Sequence, residues 1–187
     1  EGADELFGGY IYLKNAPSME MLIAERDRLL QNVHRFDGLR ADRCCGHNGL
    51  ELRVPFLDLD LVDFVCSNLT GDELDHKTNG IEKACLRNAF KDFLPDEIFN
   101  RSKDGLSDAV GNQWINLCRT LDGKKVIAEN CPPLSGEEAF YRKTFWHQFP
   151  QAADTMTTTW RPKWTNVTDP SAALLKPSHD KIVTSMK

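Results

Sequence analysis

The sequence predicts a mainly helical fold, and three observations support that prediction. Apolar residues recur at helical spacing in several segments, N-cap residues precede those segments, and no convincing pair of strands is found among the 187 residues. Hydrophobic residues make up 41% and charged residues 27% of the chain, which is ordinary for a globular protein. The net charge of −5 argues against nucleic-acid binding as the main function, and no apolar run approaches the roughly 20 residues that span a bilayer.

The first two helices follow from cap signals and turn residues. Ser18, directly after Pro17, predicts the start of a helix that runs to about Phe36, with apolar residues on one stripe. Residues 50–57 are too short and too interrupted by proline for a helix, so they predict an extended loop. Asp58 closes that loop and predicts the N-cap of the next helix.

Further helices are predicted downstream. Residues 79–80, Asn-Gly, mark the start of a helix to about Phe90, which would place Lys83 and Arg87 on one face. Three more helices are predicted to begin at Pro95, at Ser107 or Asp108, and at the capping box Ser135-Gly-Glu-Glu138. Beyond the last helix the chain reads as irregular.

The six cysteines predict reduced thiols rather than a disulfide framework or a zinc site. They form no C-x-x-C pair, and the vicinal Cys44 and Cys45 cannot easily both ligate one zinc ion with His47. Reduced thiols fit a cytosolic protein. The cysteines with apolar helical surroundings, predicted to be small core residues, are Cys66, Cys85 and Cys118.

The first ten residues are the most informative segment of the chain. Glu1, Asp4 and Glu5 lie among glycines, and the segment contains no Lys or Arg to neutralise them. Such a segment is either an acidic, solvated turn or a site whose cations come from elsewhere, as a metal ion or as basic residues of later segments.

Basic residues in the later segments can supply those cations. Each is an ordinary surface residue when taken alone, and Arg40 and Arg43 are expected at the end of the first helix. Together with the acidic segment they would suit a substrate of mixed charge, such as an amino acid, alongside a polyphosphate and magnesium. The basic residues in question are Arg40, Arg43, Arg53, Lys83, Arg87, Arg101 and Lys103.

Taken in order, several blocks of the chain closely resemble the C-terminal part of the glutamine-hydrolysing asparagine synthetase family. Ala3 departs from the usual Ser of that family, and Arg43 stands where many members have Lys. The Ser-Gly-Gly-x-Asp-Ser pyrophosphate loop of the family is not found in these residues, nor is its glutaminase nucleophile. The matching blocks are Glu1-Gly-Ala-Asp-Glu5, 39–43, 49–58, 79–87, 101–108 and 160–171.

The resemblance implies a fold and a reaction. Residues 1–187 would form the C-terminal, helical half of an α/β adenine-nucleotide α-hydrolase-like synthetase domain, a PP-loop ATP pyrophosphatase fold whose sheet lies largely upstream. ATP would activate the side chain of aspartate as a β-aspartyl-adenylate and release pyrophosphate. Ammonia derived from glutamine in an N-terminal glutaminase domain would then give asparagine and AMP. The fragment alone is expected to be inactive.

The resemblance also assigns roles to particular residues. Lys83 matches a lysine near the departing phosphates, and Glu1 matches a glutamate needed for adenylate formation, either holding the ammonium group of the substrate or acting as a base toward ammonia. Asp4 matches a carboxylate that can hold Mg²⁺. The residues expected to bind substrate or phosphate are Gly2, Asp4, Arg43, Arg53 and Lys103.

The implied partners are small molecules, and two alternatives stay open. Aspartate, ATP with Mg²⁺ and glutamine-derived ammonia are expected as ligands, in the cytosol, with no nucleic acid and no membrane. A homodimer of the full-length protein is left open. The alternatives are a sibling adenylating enzyme of the β-lactam-synthetase kind and a non-catalytic homologue that only binds partners.

Overall fold

The computed structural model describes residues 1–103, 135–155, 159–168 and 170. All regular structure in those ranges is helical and none of it is strand, which confirms the mainly helical prediction there. None of the described helices is long and apolar enough to cross a membrane. The chain divides into an N-terminal unit, Glu1–Lys103, and a C-terminal unit, Asp104–Lys187. The helix predicted to start at Ser107 or Asp108 lies outside the described residues.

The N-terminal unit consists of eight α-helices and short 3₁₀ turns over residues 1–103. The 3₁₀ turns are Ile11–Asn15, Val33–Arg35, Pro55–Leu57 and Lys91–Phe93. The helices are α1 Ala3–Leu6, α2 Met19–Asn32, α3 Asp37–His47, α4 Leu59–Asn68, α5 Gly71–Leu74, α6 His76–Asn79, α7 Ala84–Ala89 and α8 Asp96–Phe99.

The start of α2 is confirmed, but the helix is shorter than predicted. The Ser18 hydroxyl accepts a hydrogen bond from the Met21 backbone N–H at 3.3 Å, as an N-cap should. The chain then breaks at Phe36, with φ −124° and ψ −100°, and starts the separate helix α3. A side chain at Gly38 would lie 2.8 Å from the Val33 carbonyl oxygen, so glycine permits this tight junction. The expectation that Arg40 and Arg43 lie at the end of the first helix was therefore wrong, since both lie within α3.

The acidic N-terminal segment is folded onto the core rather than into a solvated turn. In and after α1, Leu6 is fully buried and Phe7 almost so, and both pack with Val65 of α4. The Phe7 and Phe56 rings meet edge to face at 6.1 Å. Burying a leucine of this kind stabilises by about 1.5–3 kcal/mol. The same four-residue helix therefore holds its carboxylates in fixed positions.

The loop and cap predicted around Asp58 are confirmed. One Asp58 carboxylate oxygen accepts from the backbone N–H groups of Asp60 and Leu61, at 3.1 and 3.3 Å, and starts α4. Residues 50–54 form a loop without regular secondary structure, and the turn Pro55–Leu57 follows them. The predicted start at Pro95 is also confirmed, since α8 begins at the next residue.

The prediction that a helix starts at Asn79-Gly80 was wrong, because α6 ends there and α7 starts at Ala84. Asp75 caps α6 by accepting from the Lys77 backbone N–H at 3.0 Å, and Gly80 ends α6 in the left-handed region with φ +73°. Glycine after the last helical residue is a stop signal, and here it was interpreted as a start. The next helix, α7, begins only at Ala84, so Lys83 lies outside it.

In the C-terminal unit, α9 spans Gly136–Gln148 and a 3₁₀ turn spans Pro150–Thr155. The Ser135 hydroxyl accepts from the Glu138 N–H at 3.2 Å, so the predicted cap is confirmed. The buried Glu138 carboxylate accepts from Arg142 at 2.7 Å, from the Thr159 hydroxyl at 2.7 Å and from Arg161. These bonds fix the irregular segment 159–161 against α9.

The cysteines of the described ranges are free thiols. Cys44 is exposed, whereas Cys66 and Cys85 are half-buried, and Cys66 packs against the α1–α4 core. Burial raises the pKa of the Cys85 thiol, so it stays protonated at neutral pH. Cys118, also predicted as a core residue, and Cys131 lie outside the described residues.

Candidate functional site

The centre of the candidate site is the Asp4 carboxylate at the start of α1. One oxygen accepts from Lys83 Nζ at 2.8 Å and the other from Lys103 Nζ at 2.5 Å. The lysines come from positions 79 and 99 residues further along the chain. The acidic segment thus receives its cations from later segments, as one of the two sequence interpretations required. We call these three side chains the lysine–aspartate cluster.

The lysine–aspartate cluster is partly exposed and carries an excess of positive charge. The side chains of Asp4, Lys83 and Lys103 are 27%, 22% and 17% exposed. Burial by itself would raise the pKa of Asp4, but the charges of Lys103 and Lys83 outweigh burial and hold that pKa below its usual value. Asp4 is therefore ionised at neutral pH and the cluster is suited to attract an anion.

Glycines allow the backbone to approach Asp4 closely. A side chain at Gly9 would lie 2.0 Å from an Asp4 carboxylate oxygen. At Gly2, where φ is +92°, an added Cβ would lie 2.6 Å from the Leu57 side chain. Gly2 therefore shapes the turn that begins α1, and its own carbonyl accepts the Leu6 N–H at 2.9 Å. The binding of substrate or phosphate by Gly2 stays a prediction, and the role that the structure shows for Gly2 is in this turn.

Lys83 has a strained backbone. Its φ of 55° and ψ of 34° place it in the left-handed region, one of two described non-glycine residues with positive φ. That conformation costs an L-residue about 1–2 kcal/mol. Such strain persists where the surroundings hold the residue in place, and it is concentrated at functional sites.

Tyr10 connects Lys103 to two further carboxylates. Lys103 Nζ lies 4.7 Å from the centre of the Tyr10 ring, within cation–π range. The Tyr10 hydroxyl lies 2.7 Å from Glu5 and 2.8 Å from Asp37. Burial, and then the two carboxylates, raise the pKa of Tyr10, and burial raises the pKa of Glu5. The Tyr10 hydroxyl has one proton and can donate it to only one of the two carboxylates. A protonated Glu5 would donate its own proton to the Tyr10 oxygen, so that both contacts are hydrogen bonds.

Glu1 is held by Arg40 of α3. Arg40 Nη2 lies 2.8 Å from a Glu1 oxygen and 3.2 Å from Asp37. The Glu1 side chain is 23% exposed. Arg40 thus fixes the orientation of Glu1 and joins it to the Tyr10 pair through Asp37. Arg40 was among the basic residues that could supply cations to the acidic segment, but the sequence assigned it no particular role in the site.

Sequence reasoning also missed Glu82. Its carboxylate accepts from Arg87 Nη2 at 2.9 Å and from the backbone N–H of Lys103. The Glu82 and Arg87 side chains are only 12% and 14% exposed. The signal that could have found Glu82 was its place directly before the predicted Lys83.

Two of the predicted site residues are not brought to Asp4. The Arg53 side chain is 81% exposed and pairs at 3.0 Å with Glu51, whose side chain is 73% exposed. Arg43 of α3 is exposed and makes no ion pair within the described ranges. Neither arginine contacts the lysine–aspartate cluster as described here.

The side chains around Asp4 do not fit a magnesium site. Both Asp4 oxygens are engaged by lysine ammonium groups, whereas Mg²⁺ requires free oxygen ligands. Across the described residues no group of three or more His, Cys, Asp or Glu side chains could hold a metal ion. Asp4 therefore acts in this structure as the partner of two lysines.

Comparison with known proteins gives one consistent result. Residues 20–175 match the family model described as Asparagine synthase. The chain is 43% identical over 190 residues to an asparagine synthetase [glutamine-hydrolyzing] from Mesocricetus auratus, and 40% identical over 190 residues to one from Homo sapiens. A Gallus gallus protein of the same name is 39% identical over 191 residues. Each match covers 94% of this chain and 34% of the relative, so the chain spans about a third of their length.

Proposed function

The chain belongs to the asparagine synthase family, which confirms the resemblance, and from that premise we propose that the full-length protein makes asparagine from aspartate and ATP. The side-chain carboxylate of aspartate attacks the α-phosphate of ATP, giving β-aspartyl-adenylate and pyrophosphate. Ammonia from glutamine hydrolysis then displaces AMP and leaves asparagine. Residues 1–187 are, in this proposal, the C-terminal helical part of a PP-loop-type α/β synthetase domain.

The lysine–aspartate cluster is the observation that carries this proposal. A carboxylate that approaches a triphosphate is repelled, and negative charge accumulates on the departing pyrophosphate. Two ammonium groups already held together by Asp4 need no rearrangement to meet that charge. Lysine binds phosphate as a compact point charge, which suits a group that moves during the reaction. We assign Lys83 and Lys103 to the pyrophosphate.

Asp4 has a supporting role in this proposal. Two neighbouring ammonium groups repel each other, and the carboxylate between them offsets that repulsion. The charge left in excess is positive, so the polyphosphate is still attracted. ATP enters as a substrate with Mg²⁺ bound to its phosphates. No step is assigned to a metal ion at Asp4, because both carboxylate oxygens hold lysines.

Glu1 is proposed to act on the substrate's nitrogen groups. A carboxylate whose orientation is fixed by Arg40 can receive the ammonium group of aspartate, or accept a proton from the attacking ammonia. Arg43 and Arg53 receive no step, since both are exposed and neither contacts the cluster in the described structure. The named relatives are asparagine synthetases, which favours asparagine over a β-lactam product.

The wider setting is proposed from the family. Glutamine would supply ammonia from an N-terminal glutaminase domain, and the protein would work in the cytosol. A homodimer of the full-length protein stays a prediction. None of these proposals depends on the geometry of the lysine–aspartate cluster.

The proposal is tested with the full-length protein. Pyrophosphate release and asparagine formation are measured with ATP, Mg²⁺ and aspartate, using ammonia or glutamine as the nitrogen donor. We expect aspartate-dependent release, and a fall of about 10²–10³-fold in kcat for Lys83→Ala, the scale of losing one preorganised charge-stabilising donor. Lys91→Ala, which removes an exposed lysine, is the matched control and should retain the wild-type rate. Wild-type protein that releases no pyrophosphate in response to aspartate would refute the proposal.

A further inference from the structure

One half-buried ion pair, Glu82 with Arg87, links the two segments that carry the lysines. The Glu82 carboxylate accepts the backbone N–H of Lys103, which lies 21 residues further along the chain. The same oxygen accepts from Arg87 Nη2 at 2.9 Å. Glu82 is also the residue directly before Lys83. The two ammonium groups that reach Asp4 are therefore attached to backbone on either side of one carboxylate.

Arg87 holds that carboxylate and the incoming segment together. Its Nε donates to the Glu82 backbone carbonyl at 2.9 Å, so it contacts both the main chain and the side chain of Glu82. Its Nη1 donates to the Phe99 carbonyl at 2.7 Å and to the Ile98 carbonyl at 3.3 Å, at the end of α8. The planar guanidinium thus joins the strained turn at Lys83 to the segment that leads into Lys103.

This arrangement serves the lysines rather than the core. The side chains of Glu82 and Arg87 neutralise each other, and their hydrogen bonds go to the backbone of the two lysine segments. Resting on the proposed function, we infer that Glu82 is a positioning residue that sets Lys103 beside Lys83 for the departing pyrophosphate, with Arg87 holding Glu82. Neither residue reaches the substrate in this inference. A displacement of about 1 Å in such a group can cost about 10²-fold in rate.

The first test measures the position of Lys103 without using activity. The full-length wild type and Glu82→Ala are labelled briefly with an amine-reactive ester, and each lysine is followed by mass spectrometry. Lys103 should label slowly in the wild type, since Asp4 engages its Nζ, and several-fold faster in Glu82→Ala. Lys77, whose Nζ donates to the Ala16 carbonyl at 3.2 Å, is the control for intact folding and should not change. Unchanged labelling of Lys103 would overturn the inference.

A second variant covers the case in which Glu82→Ala loosens the fold. If Lys77 labelling also rises, Glu82→Gln replaces Glu82→Ala in the same comparison, because glutamine has nearly the same shape but loses the ion pair with Arg87 that holds the side chain of residue 82 in place for Lys103. A selective rise at Lys103 is again required. The labelling experiment does not depend on catalytic activity. It therefore tests the positioning of Lys103 even if the protein does not make asparagine.

The second test is a double-mutant cycle on pyrophosphate release. Glu82→Ala should lower kcat by about 10²-fold in the wild-type background. In a Lys103→Ala background the same change should have little further effect, because the group it positions is gone. Glu97→Ala, an exposed carboxylate of α8, is the control and should leave kcat unchanged. If Glu82→Ala lowers kcat by the same factor in the wild type and in the Lys103→Ala variant, Glu82 has a merely structural role and the inference is overturned.

Discussion

Asp4 in the N-terminal unit and Glu138 in the C-terminal unit each hold two cations, but they differ in burial and in partner. Asp4 is 27% exposed and binds two lysines from distant segments. Glu138 is 2% exposed and binds Arg142, four residues away on α9, and Arg161. Glu138 also accepts the Thr159 hydroxyl, so its oxygens are fully used within the protein.

The difference separates a structural anchor, Glu138, from the proposed phosphate-binding site at Asp4. Arginine forks on a buried carboxylate give fixed geometry and satisfy hydrogen bonds that water cannot reach. Lysines on a partly exposed carboxylate keep hydrogen-bond capacity, since each ammonium group has three donors. The strained backbone at Lys83 adds to the contrast, because strain of this kind concentrates at functional sites.

The largest effect is expected at Glu138. Glu138→Ala removes a buried carboxylate that pairs with both Arg142 and Arg161, so the free energy of opening α9 should fall by about 3–5 kcal/mol, the scale of losing one partner of a buried ion pair. Amide hydrogen exchange across α9 measures that free energy. Gln148→Ala, at the exposed end of the helix, is the control and should change it by less than about 0.5 kcal/mol. If the amides of α9 are as well protected from exchange in Glu138→Ala as in the wild type, Glu138 does not anchor the helix.

A smaller effect, of a different kind, is expected at Asp4. In Asp4→Asn the two lysines lose the charge that holds them together, so kcat for pyrophosphate release should fall by about 10²-fold. The free energy of unfolding should change by no more than about 1 kcal/mol, because the ion pairs are partly exposed. Denaturant unfolding and steady-state kinetics on the full-length protein measure the two quantities. A stability loss as large as that of Glu138→Ala would abolish the contrast.

The smallest effect concerns the neighbour of Asp4 on α1. Burial raises the pKa of Glu5, whereas the lysines lower that of Asp4. A raised pKa in the folded state gives stability that is fully present below the unfolded value of 4.5 and is lost as the pH rises through the folded value. Glu5→Gln removes this loss, so its Tm relative to wild type should increase between pH 4.5 and 7. A difference in Tm that is independent of pH would contradict the raised pKa.

Local signals allowed the cap positions to be predicted. Ser18, Asp58 and Ser135 satisfy helix N-termini within three residues of themselves, so neighbouring residues suffice to identify them. The break at Phe36 was missed because it depends on the close approach of Gly38 to the Val33 carbonyl. The start assigned to Asn79-Gly80 failed because a glycine stop and a glycine start look alike without the Asp75 cap.

The sequence predicted that the acidic segment would pair with basic residues, but it did not predict which basic residues would contact it. An acidic segment without internal cations predicted partners from elsewhere, and Lys83 and Lys103 are those partners. Composition could not select them over Arg43 and Arg53, because selection depends on packing between residues far apart in the chain. Glu82 escaped notice for the same reason, since its contact with Lys103 is visible only in three dimensions.

The most direct test of the lysine–aspartate cluster is the rate of pyrophosphate release as aspartate is added, in full-length wild type and in a variant with both Lys83→Ala and Lys103→Ala. We predict release that saturates with aspartate in the wild type and is lost in the double variant, which should still fold because its lysines are partly exposed. Equal rates in the two proteins, or release in the wild type that does not depend on aspartate, would contradict the account.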